Sequence, residues 1–170
     1  MATVVLKPNA NGDRQEWNWL VGAPTQWQAW LTNDGDTSYA GASWPYDNLV
    51  SLFRLDSLPG DVLPGSITNV LVQTICKRTN SSLAIVNVHL KTGGVEYSSG
   101  NQFFSNTTYV GFTSGWGLNP QTGVAWTIAE VNALQAGAQL GTNFWGTICT
   151  QVSVTVTYTA VALPTTTTQA

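Results

Sequence analysis

The acids of one short turn are the first candidates for chemistry. Asp34 and Asp36 stand in Asn33-Asp34-Gly35-Asp36, where carboxylate oxygens two residues apart could approach a calcium ion. The full spacing of a calcium loop is missing, with no Glu placed to close it. Asn, Asp and Gly favour such a turn without any ion. The expectation is a solvated turn and no metal, with Asp34 and Asp36 as weak calcium candidates. His89 is the single histidine and the base that a Ser-His-Asp or Cys-His arrangement would need. It lies in an alternating run, with Ala84, Val86, Val88 and Leu90 on one face and Asn87 and His89 on the other. That pattern predicts a half-buried strand with the histidine toward water. Nine acids could include the carboxylate pair of a glycosidase, yet none lies in a recognisable signature. No catalytic residue is assigned, no cofactor is expected, and the chain reads as a non-enzyme.

Aromatic and sulfur chemistry come next. Eight tryptophans are many for 170 residues. Exposed indoles could stack on sugar rings, with Asn and Gln binding hydroxyls, so a glycan is a possible partner. Aromatic residues also fill cores and protein interfaces. Trp17, Trp19, Trp44, Trp116, Trp126 and Trp145 could pack the ends of a sandwich, and Trp27 and Trp30, three apart, could bury together. Core or interface is the favoured reading. Cys76 and Cys149 both lie in strand-like runs. A disulfide is open to them if those strands are neighbours, but two buried free thiols are favoured. Two Cys and one His cannot make a four-ligand zinc site.

The elements that must position these residues are strands. Turn signals recur at short spacing with β-branched runs between them. Candidates run over 3–7, closed by Pro8-Asn9-Ala10-Asn11-Gly12, then 49–55, 67–77, 83–90 and 101–113. The strands on either side of Thr79-Asn80-Ser81-Ser82 read as a hairpin. Near the end, Val152, Val154, Val156 and Tyr158 alternate with Gln151, Ser153, Thr155 and Thr157, as in an antiparallel sheet with one face in the core. One segment is helical. Thr127 can cap with Glu130 three residues on, Ile128, Val131 and Leu134 follow at helical spacing, and Gly137 can supply a left-handed stop. The fold class expected is therefore all-β, an antiparallel jelly-roll-like β-sandwich with one short helix near 128–136. Residues 27–160 would form the sandwich, 1–26 an N-terminal arm with a first strand, and 161–170 a flexible tail. Val4, Val5, Leu6, Trp17 and Trp19 fit the sandwich pattern poorly and are the expected interface residues.

Composition narrows the partners. Charged residues make up 9% of the chain and the net charge is -3. Clustered cations for nucleic acid are absent, as are those for an anionic membrane surface. No run approaches the ~20 apolar residues of a membrane span. The low-charge composition looks extracellular, while Met1 to Lys7 has no secretory signal features. Removal of a leader reconciles the two, as does release by lysis, the route of a phage virion protein.

The order of features resembles a known family. Asp34-Gly35-Asp36-Thr37-Ser38-Tyr39 comes first, then Phe53-Arg54-Leu55-Asp56-Ser57-Leu58, Ile67-Thr68-Asn69-Val70, Gly93-Gly94-Val95-Glu96-Tyr97, and Cys149-Thr150-Gln151-Val152. The most specific part runs from Asn119 to Gly137 and includes Trp126 and Thr127. Over roughly residues 27–158 the chain resembles a β-sandwich, jelly-roll-like family of virion structural proteins encoded by tailed phages. The resemblance implies a virion location, with assembly in the host cytoplasm. It also implies a structural role, foremost a capsid decoration (cement) protein. Such a protein would bind the major capsid or another virion protein and itself as a homo-oligomer, a trimer being one form open to it. The alternatives are a tail or fibre host-attachment protein and a carbohydrate-binding module. No site residues transfer with the resemblance; Trp126, Thr127, Glu130 and Gly137 read as folding devices.

Overall fold

The computed structural model describes residues 1–42, 48–80, 82–140 and 146–160. Trp44 and Trp145, and the expected tail at 161–170, lie outside them. The strand runs read from the sequence all appear, with further short ones, in two antiparallel sheets. The chain is an all-β, jelly-roll-like sandwich.

The first sheet is built on the longest strands. β6 (Ile67–Arg78) and β12 (Thr147–Tyr158) pair along nearly their whole length. β10 (Val110–Trp116) lies outside β6. Two short strands share the other edge of β12: β4 (Tyr39–Ala42) pairs its start, and β1 (Ala2–Leu6) pairs its end. β3 (Trp19–Val21) closes the sheet beyond β4. The alternation of β12 holds: Val152, Val154 and Val156 are fully buried.

The second sheet runs in the order β2 (Pro8–Gln15), β5 (Val50–Leu55), β11 (Gln135–Leu140), β7 (Ala84–Thr92). The far edge of β7 is shared by β8 (Val95–Ser98) and β9 (Gln102–Phe104). The core lies between the sheets. Trp17 packs edge-on against Trp30 with ring centroids 4.6 Å apart, and Trp30 lies 4.9 Å from Phe53. Aromatic rings favour such tilted contacts, which keep the electron-rich faces apart.

Several expectations are corrected. Residues 1–26 are no separate arm: β1 and β2 are strands of the two sheets, because Leu6 and Trp17 are core residues and the backbone between them completes both edges. Of the expected interface residues, Leu6 and Trp17 are buried, Val4 packs on the core, Trp19 is half-buried, and Val5 is exposed. The stretch Pro8 to Gly12 is strand, not a turn. The 79–82 link joins β6 of one sheet to β7 of the other, so it is a crossover and not a hairpin; the tight hairpin is β7–β8, turning at Gly93-Gly94.

Cys76 and Cys149 are register partners on β6 and β12 and form a disulfide. The favoured reading of free thiols is overturned because both side chains face the core at the same level of adjacent strands.

Two short helices are present among the described residues, where one was expected. α1 (Gln26–Ala29) buries Ala29. α2 (Ile128–Ala133) carries the expected capping box: Glu130 N donates to Thr127 Oγ1 at 3.2 Å and Thr127 N donates to Glu130 Oε2 at 2.8 Å. Trp126 is buried and donates from Nε1 to the Trp116 carbonyl at 2.9 Å. The helix ends before 136, and Gly137 is not its left-handed stop. Gly137 is a strand residue in β11, where a Cβ would fall 1.8 Å from the Ser51 carbonyl oxygen. Only glycine lets β5 and β11 approach so closely.

Candidate functional site

The sandwich leaves two polar surfaces with the makings of a site. The first is a pocket of about 340 Å³ beside the first sheet. β4 supplies Tyr39, β6 supplies Lys77 and Arg78, β12 supplies Ile148, and the 33–38 turn supplies Asp36; Thr79 and Thr107 also line it. Trp19 braces Tyr39 edge-on at 5.3 Å. Lys77 Nζ donates to Asp36 at 2.7 Å and lies 4.8 Å from the Tyr109 ring centroid, a cation–π distance. The Tyr109 hydroxyl donates to Asp36 Oδ1 at 3.1 Å. These contacts hold Asp36 ionised: the Lys77 hydrogen bond, then that of Tyr109, lower its pKa against the opposing effect of burial. Burial, and then the Asp36 carboxylate, push the Tyr109 phenol well above its ordinary value. Tyr109 is therefore a neutral donor, not a base.

Asp34 points elsewhere. It accepts from Ser38 N at 3.1 Å, Ser38 Oγ at 2.7 Å and Thr150 Oγ1 at 3.2 Å. Burial acts against its ionisation, but these hydrogen bonds win and its pKa falls. The two acids weighed for calcium thus serve different partners: Asp34 ties the turn to β12, and Asp36 joins the pocket. Among the described residues no three His, Cys, Asp or Glu side chains converge.

The second surface is the outer face of the second sheet. Between Asn11 and Gln15, β2 advances four residues while β5 advances two, from Phe53 to Ser51. The resulting bulge lies across the sheet as a strap. It buries the outward-facing Val50 and Leu52, and Gln15 Nε2 donates to the Leu52 carbonyl. Arg14 chelates Glu16 with hydrogen bonds of 2.8 and 2.9 Å and reaches Glu96 on β8 at 2.8 Å. Lys91 holds Asp13 at 2.7 Å.

This strap corrects the reading of Asn87 and His89, which are buried rather than turned to water. Gln139 Oε1 accepts from Asn87 Nδ2 at 3.0 Å and lies 3.2 Å from His89 Nε2. His89 Nδ1 faces Glu96 at 3.8 Å and has no hydrogen-bond partner among the described residues. Burial lowers the His89 pKa below 6.5, with the charge of Arg14 adding, against the Gln139 hydrogen bond and Glu96. The folded state therefore holds a neutral imidazole where the unfolded chain binds a proton. Stability is full above pH 6.5 and declines as pH falls through 6.5 toward the folded value. Urea melts of wild type and His89→Gln check this. The variant should lose the part of the slope that lies just below 6.5, and an unchanged slope would assign it to other groups.

Sequence reasoning singled out Asp36 and Trp19 but missed Tyr39, Lys77 and Arg14. Nothing local marks these three, because their roles depend on which strands become neighbours.

No protein-family model and no curated protein matches the chain. Solved structures do. The CBM22-1 xylan-binding domain of Paenibacillus barcinonensis Xyn10C superimposes with a TM-score of 0.50 at 8% identity, covering 91% of this chain and 88% of that one. CBM35 from Cellvibrio japonicus Abf62 gives 0.47 at 11% identity, covering 95% of this chain and 100% of that one. The CBM36-1 domain of a multidomain xylanase from the hindgut metagenome of Trinervitermes trinervoides gives 0.44 at 13% identity, covering 94% and 100%. Likeness to the first of these is likeness of fold, an antiparallel β-sandwich.

Proposed function

We propose that the chain is a non-catalytic, carbohydrate-binding β-sandwich. The observation that carries this reading is the Tyr39 pocket. It combines an aromatic ring braced by Trp19, an apolar residue at Ile148, two threonines, Arg78 and the Asp36–Lys77 pair. A sugar offers the complement, an apolar ring face to stack and hydroxyls that both donate and accept. The pocket is lined by a single carboxylate among the described residues, whereas glycoside hydrolysis uses two. Binding without turnover is the chemistry these groups suit. The neighbour that shares the fold is a xylan-binding domain, which supports the class and makes xylan the first polysaccharide to try. The disulfide supports action in an oxidising, extracytosolic setting.

Affinity electrophoresis through gels containing xylan, mannan or mixed-linkage glucan tests the reading. At least one polysaccharide should retard the wild type. Tyr39→Ala should weaken that binding about tenfold or more, equivalent to about 1.4 kcal/mol, with little change in thermal midpoint. If no polysaccharide retards the protein, or if Tyr39→Ala binds as wild type, the reading fails.

A virion location rests on the Asn119–Gly137 resemblance. In that setting a glycan-binding sandwich suits host attachment at a tail or fibre better than capsid decoration. Light scattering of the purified protein bears on this: a defined homo-oligomer fits an appendage, and a strict monomer argues against one.

A further inference from the structure

The geometry points to a second binding site, for a small ligand bearing a single carboxylate, in the cleft between the start of β2, the end of β5 and the α2–β11 junction. We infer it from hydrogen-bond donors left without protein partners. The cleft has a volume of about 410 Å³ and is lined by Asn9, Asp13, Arg54, Asn132 and Gln135, among others. Arg54 and Gln135 are register partners on β5 and β11, so the guanidinium and the amide stand side by side on the outer face.

The amides are oriented by the backbone. Asn132 Oδ1 accepts from Leu58 N at 2.8 Å, and Gln135 Oε1 accepts from Asp13 N at 2.7 Å. With their oxygens committed, the NH₂ groups of Asn132 and Gln135 remain as donors with no acceptor among the described residues. Arg54 makes no hydrogen bond or ion pair among them either. Asn9 is the exception that offers an acceptor, since its Nδ2 donates to the Leu55 carbonyl at 2.9 Å and its Oδ1 is left over. Gln135 is 8% exposed, so its position is held by packing. Gly12 lets the strap seat against it: a Cβ there would fall 2.2 Å from Gln135 Oε1.

This donor set selects the ligand. Among the described lining residues the one carboxylate is Asp13, which pairs with Lys91 at 2.7 Å and lies near enough to Arg54 to feel its charge, so the Arg54 guanidinium is the cationic donor of the lining with no hydrogen-bonded partner among the described residues. One positive charge flanked by two neutral amide donors matches a monoanion better than a dianionic phosphate. The planar fork of Arg matches the planar carboxylate. Neighbouring Asn9 Oδ1 would take a ligand hydroxyl.

The site is separate from the Tyr39 pocket, and the test treats it so. Isothermal titration or NMR titration of the full chain would use sodium gluconate, its neutral counterpart sorbitol, sodium lactate and inorganic phosphate. Gluconate should bind and shift the side-chain amide signals of Asn132 and Gln135, while sorbitol does neither. Arg54→Gln should weaken gluconate at least tenfold, whereas Tyr39→Ala leaves it unchanged. Lactate equal to gluconate would assign recognition to the carboxylate alone, and weaker lactate would assign part of it to the hydroxyls; both support the site. Sorbitol binding as well as gluconate, phosphate binding tighter, no binding by gluconate, or an Arg54→Gln variant with wild-type affinity would overturn it. Arg54 is exposed, so the variant should keep the wild-type melting curve.

Discussion

Replacing Cys76 and Cys149 together with alanine is expected to cost about 4 kcal/mol of folding stability and to lower the thermal midpoint by about 10 °C. The bond joins positions separated by 73 residues, so in the unfolded chain it closes a long loop and removes much of its freedom. Both cysteines are fully buried, so two small cavities add to the loss. The bond also clamps β6 to β12, the pair around which the first sheet is assembled. Calorimetry of the double variant, beside wild type with and without reductant, gives the size. If the midpoints agree within a degree or two, the sheet's own packing already confines the two strands and the bond is dispensable.

The second large effect lies in the other sheet. Gly137→Val should cost about 3 kcal/mol, and the variant should accumulate as insoluble protein. The added carbons would collide with the Ser51 carbonyl at the centre of the β5–β11 pair, and that obstacle is backbone, not a flexible side chain. Displacing β5 would disturb both sides of it. Phe53 packs on Trp30 inside, and Leu52 is held under the strap outside. Urea unfolding followed by tryptophan fluorescence, with circular dichroism to confirm the fold, measures the loss. Gly137→Ala serves if the valine variant does not fold. A variant with the wild-type midpoint would show that β5 can yield at little cost.

These two positions show what was legible and what was not. The alternation of Val152, Val154, Val156 and Tyr158 and the capping box at Thr127 and Glu130 are local signals, and both persist in the fold. Period and capping depend on residues within one turn or one strand, so tertiary context seldom overrides them. Gly137 was legible as a special glycine but not for its reason. A glycine after an apolar helical run and a glycine under a neighbouring strand look alike until that strand is placed.

The candidate site depended still more on placement. Asp36 was visible as a turn acid. Its partner Lys77 lies 41 residues away, and the register that brings them together is a property of the sheet. Arg14 and Glu96 are 82 residues apart, and they meet because the bulge in β2 lets the Arg14 side chain reach over the outer face of the sheet to β8.

By itself, then, the sequence determined an antiparallel sandwich, its strand runs, the face that each main strand buries and the capped helix, because these follow from side-chain period and backbone preference over a few residues. Which strands are neighbours, whether two cysteines meet, and whether a histidine faces water or lies under a strap were decided by the tertiary structure alone. Those outcomes depend on long-range pairing, where burial of the whole core, not any local preference, selects the arrangement.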